Sequence, residues 1–178
     1  MDDGPWVFAY GSLMWSPEFP VAERVIAQVD GWRRSFCLRS IRHRGTPTEP
    51  GLVLGLDANP GHICSGVALR VEAGLWPEVV TALRAREMVT EAYFETRLPL
   101  QLADGRRAEG LTYVMRRDHW QYAAGLSPAQ QAEIIAAAQG GRGPNADYLY
   151  NTVAHLDQLG IPDDDLAELA GRVRALRS

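Results

Sequence analysis

Glu87 closes a row of apolar residues, Trp76, Val79, Val80 and Leu83, with the spacing i, i+3, i+4, i+7 and i+11. On a helix of 3.6 residues per turn, eleven positions return to within ~20° of the start, so the carboxylate falls on the apolar, inward face. Charged side chains are rarely buried on such a face without a partner or a task. A carboxylate sheltered from water has its pKa pushed up, which suits it to take and return a proton near neutral pH. Periodicity leaves two other readings open. One is an internal ion pair with Arg84, Arg86 or Arg44. The other is a helix that stops early and leaves Glu87 in solvent.

Two further features bear on chemistry. Tyr10-Gly11-Ser12-Leu13 follows the apolar run Trp6-Val7-Phe8-Ala9-Tyr10. Glycine there lets the backbone turn sharply, either as a plain structural turn or with N–H groups left to face an anion or a polarised carbonyl. Tyr148, near the start of a late helix, either packs in the core with its hydroxyl hydrogen-bonded or projects it into a cleft; the pattern favours the core.

The cluster Arg33, Arg34, Arg39, Arg42 and Arg44, interleaved with Trp32 and Phe36, has three readings. It fits a single-strand nucleic-acid surface, a solvated strand face, or a local site for substrate carboxylates. With 18 basic against 22 acidic residues and a net charge of −4, the nucleic-acid reading is the least favoured.

Other signatures fail on context. The histidines at 43, 62, 119 and 155 have no metal-ligand spacing, so no metal is predicted. Gly141-Arg142-Gly143-Pro144-Asn145-Ala146 imitates a dinucleotide fingerprint, but a helical pattern rather than a strand precedes it, which predicts an inter-helix loop. Ser12 lacks the flanking glycines of a nucleophile elbow, since Tyr10 and Met14 occupy those places. Cys37 and Cys64 sit among apolar neighbours and read as buried free thiols in a reducing cytosol.

These residues need elements to hold them. Trp6–Tyr10 reads as a buried strand. Arg24–Val29 and Trp32–Leu38 flank Asp30-Gly31, which predicts a hairpin. Gly51–Leu56 and Ile63–Val71 read as two strands separated by Asn59-Pro60-Gly61, and Ala92–Leu102 and Gly110–Met115 as a hairpin around Asp104-Gly105. The helix from Trp76 tolerates Pro77 in its first turn. In the last third, Ser127-Pro128-Ala129-Gln130 is a capping box whose helix should end at Gly140-Gly141. Asn145 can cap a second helix that presents Leu149, Thr152, Val153, Leu156 and Leu159, with Gly160 as its stop. Leu166, Leu169, Ala170, Val173 and Leu176 form a third, with Asp163 to Asp165 favouring its N-terminus.

Strands followed by helices suggest an α+β domain, and 178 residues fit one domain spanning 1–178. No apolar run approaches the ~18 residues of a membrane helix, and Met1-Asp2-Asp3-Gly4-Pro5 does not start as an export signal does. The expectation is a cytoplasmic protein without membrane or nucleic-acid partners; oligomeric state is not legible.

Taken in order, several segments resemble the ChaC family of glutathione-specific γ-glutamylcyclotransferases. They are Val7-Phe8-Ala9-Tyr10-Gly11-Ser12-Leu13-Met14-Trp15, Gly31-Trp32-Arg33-Arg34-Ser35-Phe36, His43-Arg44-Gly45-Thr46-Pro47, Pro50-Gly51-Leu52-Val53-Leu54-Gly55-Leu56, Arg86-Glu87-Met88 and Gly143-Pro144-Asn145-Ala146-Asp147-Tyr148-Leu149. The resemblance implies a mixed α/β fold with a small barrel, flanking helices and a helical C-terminal third, and no cofactor. It implies a carbon–nitrogen lyase that converts glutathione to 5-oxoproline and cysteinylglycine. The family's catalytic glutamate corresponds to Glu87. Its substrate loop corresponds to Val7, Phe8, Ala9, Tyr10, Gly11 and Ser12, extended here to Leu13; Ala9 stands where some relatives carry glycine. Arg44 and Tyr148 are the further candidates for substrate contact. Action on other γ-glutamyl amines, or binding of a small acidic ligand without catalysis, remain the alternatives.

Overall fold

The computed structural model describes residues 4–89 and 91–178. Met1, Asp2 and Asp3, the start of the stretch read above for an export signal, lie outside the described residues. The elements run β1 (Trp6–Ala9), β2 (Glu23–Ser40), β3 (Gly51–Arg70), α1 (Trp76–Glu87), β4 (Tyr93–Leu102), β5 (Arg107–Met115) and α2 (Pro128–Ala137). A short ribbon of β6 (Gln139–Gly140) and β7 (Gly143–Pro144) follows, then α3 (Asn145–Gln158) and α4 (Asp164–Arg177). This is the expected mixed α and β content, and five strands close into a barrel in the order β1-β3-β2-β4-β5. No described helix is long and apolar enough to cross a membrane.

The chain gathers into two compact units. One runs up to Arg34 and resumes over Leu56–His119; the other comprises Ser35–Gly55 and Trp120–Ser178. In the first unit, β1 lies antiparallel to β3, with Trp6 opposite Arg70 and Ala9 opposite Val67, and parallel to β5, with Val7 opposite Leu111. With a strand on each side, Val7, Phe8 and Ala9 are fully buried. Gly66 is needed opposite: a side chain there would collide with the Ala9 carbonyl and press on the Phe8 ring. The β4–β5 hairpin pairs Tyr93 with Met115 through to Gln101 with Arg107. Asp104-Gly105 forms its tip as predicted, with Gly105 at φ 91°.

The other two turn signals do not reverse the chain. Asp30-Gly31 and Asn59-Pro60-Gly61 lie inside continuous strands of 18 and 20 residues. Gly31 and Gly61 do adopt left-handed φ, 86° each, so the residue preference is expressed as a local kink within a strand. The reason is partnership. Arg70 pairs with Glu23 at 3.0 Å and Gln28 donates to the Ser65 hydroxyl at 3.4 Å, so β2 and β3 run against each other in opposite directions. The stretch before Gly31 thus finds its partner in β3 rather than in the rest of its own strand.

In the second unit, α2, α3 and α4 pack on one another, and Ile135, Leu149, Leu156, Leu169 and Val173 of these helices are buried. The capping box forms in full, with Gln130 N–H donating to Ser127 Oγ and Ser127 N–H to Gln130 Oε1. The helix ends at Ala137, short of the expected Gly140-Gly141, because Gln139 and Gly140 join the β6–β7 ribbon. That ribbon is the predicted inter-helix connection. Val153 is half-buried and Leu159 exposed, although both were expected on the inner side of α3 with Leu149, Thr152 and Leu156. Leu176 is likewise exposed beyond the buried Leu166, Leu169, Ala170 and Val173 of α4. Asp163 caps that helix, accepting from Leu166 N–H at 3.1 Å.

Asn145 is not a cap. Pro144 holds the N-cap position, and the Asn145 amide reaches back to β3. It accepts from Leu52 N–H and donates to the Leu52 carbonyl, both at 2.8 Å. Asn145 is fully buried, so the two bonds are made away from water. Asn145→Ala is expected to leave both Leu52 groups unpaired and to lower stability by about 2 to 4 kcal/mol. Denaturant unfolding measures it.

Candidate active site

In the first unit, β1 delivers Tyr10 to the top of the barrel, where the backbone turns into a single 3-10 turn over Ser12–Met14. Buried donors fix the turn from both sides. Arg34 Nε donates to the Tyr10 carbonyl and Arg34 Nη2 to the Ser65 carbonyl, each at 2.6 Å, while Tyr10 Oη donates to the Tyr113 carbonyl at 2.8 Å. Arg34 is therefore an internal strut and not part of a solvated strand face. Met14 N–H is taken by the Gly11 carbonyl. Among the described residues no acceptor meets the N–H groups of Gly11, Ser12 or Leu13, as expected where a tight turn begins.

The helix from Trp76 continues as far as Glu87, which is the last residue of α1. Of the expected apolar row, Val79 and Leu83 are buried, whereas Trp76 and Val80 are half-exposed. The Glu87 side chain is 19 % exposed. Burial raises its carboxyl above the usual carboxylate range, against the opposing pull of the Arg86 charge. Arg86 Nε lies 3.5 Å from Glu87 Oε1. The same guanidinium donates from Nη2 to Ser12 Oγ and from Nη1 to the Ser16 carbonyl, both at 2.7 Å. One arginine thus ties the end of α1 to the turn after β1 and sets Glu87 beside it. Arg84, another partner considered for Glu87, instead forks onto Glu95 of β4 at 2.8 and 2.9 Å.

In the second unit, the loop after β2 lies along the β6–β7 ribbon, with Gly141 N–H donating to the Arg42 carbonyl and Arg142 N–H to that of His43. Gly140 permits this contact, since a side chain there would collide with the backbone of Gly45 and His43. Arg44 Nη1 donates to the carbonyls of Arg142 and Pro144 at 3.0 and 3.1 Å. Its guanidinium stands 5.6 Å from the centre of the Tyr148 ring. That ring also meets Phe36 edge-on, with centroids 5.7 Å apart. Arg44 and Tyr148 are both half-buried and form one cluster, so Tyr148 is neither a plain core residue nor an exposed one.

A cavity of about 630 Å³ opens elsewhere in the first unit, bounded by Trp6, Trp76, Arg97, Arg106, Arg107 and Glu109. It touches the start of α1, about 16 Å along the helix from Glu87. No proposed site residue lines it. Among the described residues no three His, Cys, Asp or Glu side chains converge as a metal site.

A family profile described as ChaC-like protein matches residues 5–176. The chain belongs to the ChaC-like family. The Escherichia coli (strain K12) glutathione-specific γ-glutamylcyclotransferase is 39 % identical to this ChaC-like chain, over 98 % of the chain and 75 % of the relative. The Arabidopsis thaliana γ-glutamylcyclotransferase 2-3 is 34 % identical over 97 % and 90 %. Among solved structures, a yeast γ-glutamylcyclotransferase specific to glutathione superposes with a TM-score of 0.88 at 22 % identity, covering 99 % of this chain and 98 % of that one. The ChaC-like fold is thereby shared across the chain's whole length.

In the sequence, Arg86 stands out as an ion-pair option for Glu87 and as part of Arg86-Glu87-Met88; its fork onto Ser12 and Ser16 has no local signal. Arg34 belongs to the arginine cluster given three readings above, none of them an internal strut, and Glu95 and Tyr113 do not stand out in the sequence.

Because the folded carboxyl of Glu87 titrates above its unfolded value, the folded state holds a proton that the unfolded state has released. That disfavours folding increasingly as pH rises from the ordinary carboxylate range through the raised value. Glu87→Gln is therefore expected to raise Tm at neutral pH, with the gain vanishing in acid below the ordinary carboxylate range. Thermal melts across pH check this.

Proposed function

We propose that this ChaC-like chain cleaves glutathione to 5-oxo-L-proline and L-cysteinylglycine, with Glu87 transferring the protons. The observation that carries the reading is the placement of a water-shielded carboxylate at the end of α1, beside a turn whose Gly11, Ser12 and Leu13 N–H groups are open. The names of the relatives support the substrate.

The reaction is intramolecular. The α-amine of the γ-glutamyl unit attacks its own γ-carbonyl; that C–N bond forms, the C–N bond to cysteine breaks, and a five-membered lactam leaves. The enzyme has chiefly to hold the substrate folded, and it needs no nucleophile of its own. An α-amine arrives mostly as ammonium, with a pKa of ~8. It sheds two protons on becoming the lactam N–H, and the departing cysteinyl nitrogen takes up two. One carboxylate within reach of both nitrogens serves as base and then as acid, and a raised pKa brings it nearer to the amine it serves.

The negative charge that develops on the γ-carbonyl oxygen calls for fixed donors. The open N–H groups of Gly11, Ser12 and Leu13 are suited to it, each worth about 3 kcal/mol in comparable sites. They suit the substrate's α-carboxylate equally well. Val7, Phe8, Ala9 and Tyr10 lead into this loop and hold it in place. Arg44 and Tyr148, clustered within the second unit, are the further candidates for substrate contact through a guanidinium and a hydroxyl. The two buried free cysteines suit a reducing cytoplasm.

Glu87→Gln is expected to stay folded and to lose nearly all release of 5-oxoproline from reduced glutathione, measured by product chromatography; ordinary turnover in a folded variant would remove Glu87 from the chemistry. The same assay on a panel of γ-glutamyl amino acids separates glutathione specificity from a broader range. Arg44→Ala is expected to raise KM more than it lowers kcat, and an unchanged KM would take Arg44 out of the substrate site.

A further inference from the structure

Two donors, the Arg84 guanidinium and the Tyr113 hydroxyl, converge on one carboxylate, Glu95. Arg84 stands three residues before Glu87 on α1, a spacing at which helical side chains are neighbours and opposite charges pair. It does not pair with Glu87. Its Nε and Nη2 donate to the two oxygens of Glu95 at 2.8 and 2.9 Å. The Tyr113 hydroxyl donates to Glu95 Oε1 at 2.9 Å. Burial first, then Glu95 and more weakly the charge of Glu87, hold that hydroxyl above the usual tyrosine range. A bidentate Arg–carboxylate fork is the strongest ordinary ion-pair geometry, and a tyrosine has one proton to donate.

We propose that Glu95 is a positioning residue for the reaction: by holding the Arg84 guanidinium and the Tyr113 hydroxyl on β4, it keeps both from Glu87 and leaves that carboxylate basic enough to accept the substrate's proton. This rests on the reading of Glu87 as the proton-transfer group. Arg86 is the charged group in contact with Glu87 among the described residues, at 3.5 Å. Arg84 precedes Glu87 by three residues on α1, Glu95 on β4 and Tyr113 on β5 are joined to Arg84 through its fork, and Glu18, on the segment after β1, faces Arg86 at 3.5 Å. Arg86 is engaged by Ser12, Ser16 and Glu18, so it is shared rather than dedicated to Glu87. Removing Glu95 frees Arg84 and the Tyr113 hydroxyl and deletes a nearby negative charge. All three changes favour ionised Glu87.

The experiment is the pH dependence of kcat/KM for glutathione cleavage in wild type, Glu95→Ala, Arg84→Ala and the double variant. In parallel, the Glu87 carboxyl carbon is titrated by NMR in glutamate-labelled protein, assigned with Glu87→Gln. Glu95→Ala is expected to move the acid limb and the Glu87 titration down by about one pH unit. Arg84→Ala alone is expected to leave both where they are, and the double variant to recover at least half of the shift. Should Glu95→Ala not fold, Glu95→Gln keeps the shape, removes the charge and is expected to shift in the same direction. A folded Glu95 variant whose Glu87 titrates as in wild type overturns the proposal, as does a double variant that recovers nothing. If Glu87→Gln is itself active, the reading of Glu87 fails. If it is inactive while the Glu95 variants do not shift, only the role of Glu95 fails.

Discussion

The guanidinium of Arg86 is the interaction on which the proposed site depends. A helix end and a loop after a barrel strand are each mobile by default, because their terminal backbone groups lack partners within the element. Arg86 joins them by giving one nitrogen to a hydroxyl of the loop and another to a loop carbonyl, while its third edge faces the neighbouring carboxylate. A planar fork can do this; a lysine, with one nitrogen on a flexible stem, has no equivalent geometry. The loop is braced independently from beneath by Arg34 and by the hydroxyl of Tyr10. Two arginines, one fully internal and one at the rim, hold a short stretch of backbone so that its amides remain available.

The same interaction sets an electrostatic balance. Arg86 draws Glu87 toward its charged form, yet burial outweighs that attraction. A carboxylate fully paired with a dedicated arginine would be too weak a base for an amine's proton, and one fully exposed would behave as an ordinary surface acid. The sharing of Arg86 among Ser12, Ser16, Glu18 and Glu87 leaves Glu87 between these limits.

How much of this was legible depended on whether the signal was local. The helix from Trp76 to Glu87 was readable because its apolar spacing and its proline at the start are properties of adjacent residues. The hairpin at Asp104-Gly105 was readable for the same reason. The equally good turn signals at Gly31 and Gly61 were expressed only as left-handed residues inside long strands, since the pairing of β2 with β3 decided the strand direction. Asn145 looked like a cap because caps are local; its actual partner, Leu52, is 93 residues away. Periodicity singled out Glu87 and left three readings of it open; the family resemblance favoured one of them, but it said nothing of Glu95 or Tyr113.

The way the two units divide the chain has a consequence for biosynthesis. The second unit is built from residues 35–55 and 120–178, so its first piece leaves the ribosome well before its second. At roughly 5–20 residues per second, that strand segment waits on the order of ten seconds for the helices that complete its unit. During that interval Phe36, Cys37, Leu38, Leu52 and Leu54, all buried in the finished protein, lack their covering layer. The nascent chain is thus most prone to misassociation in the middle of translation, not at its end.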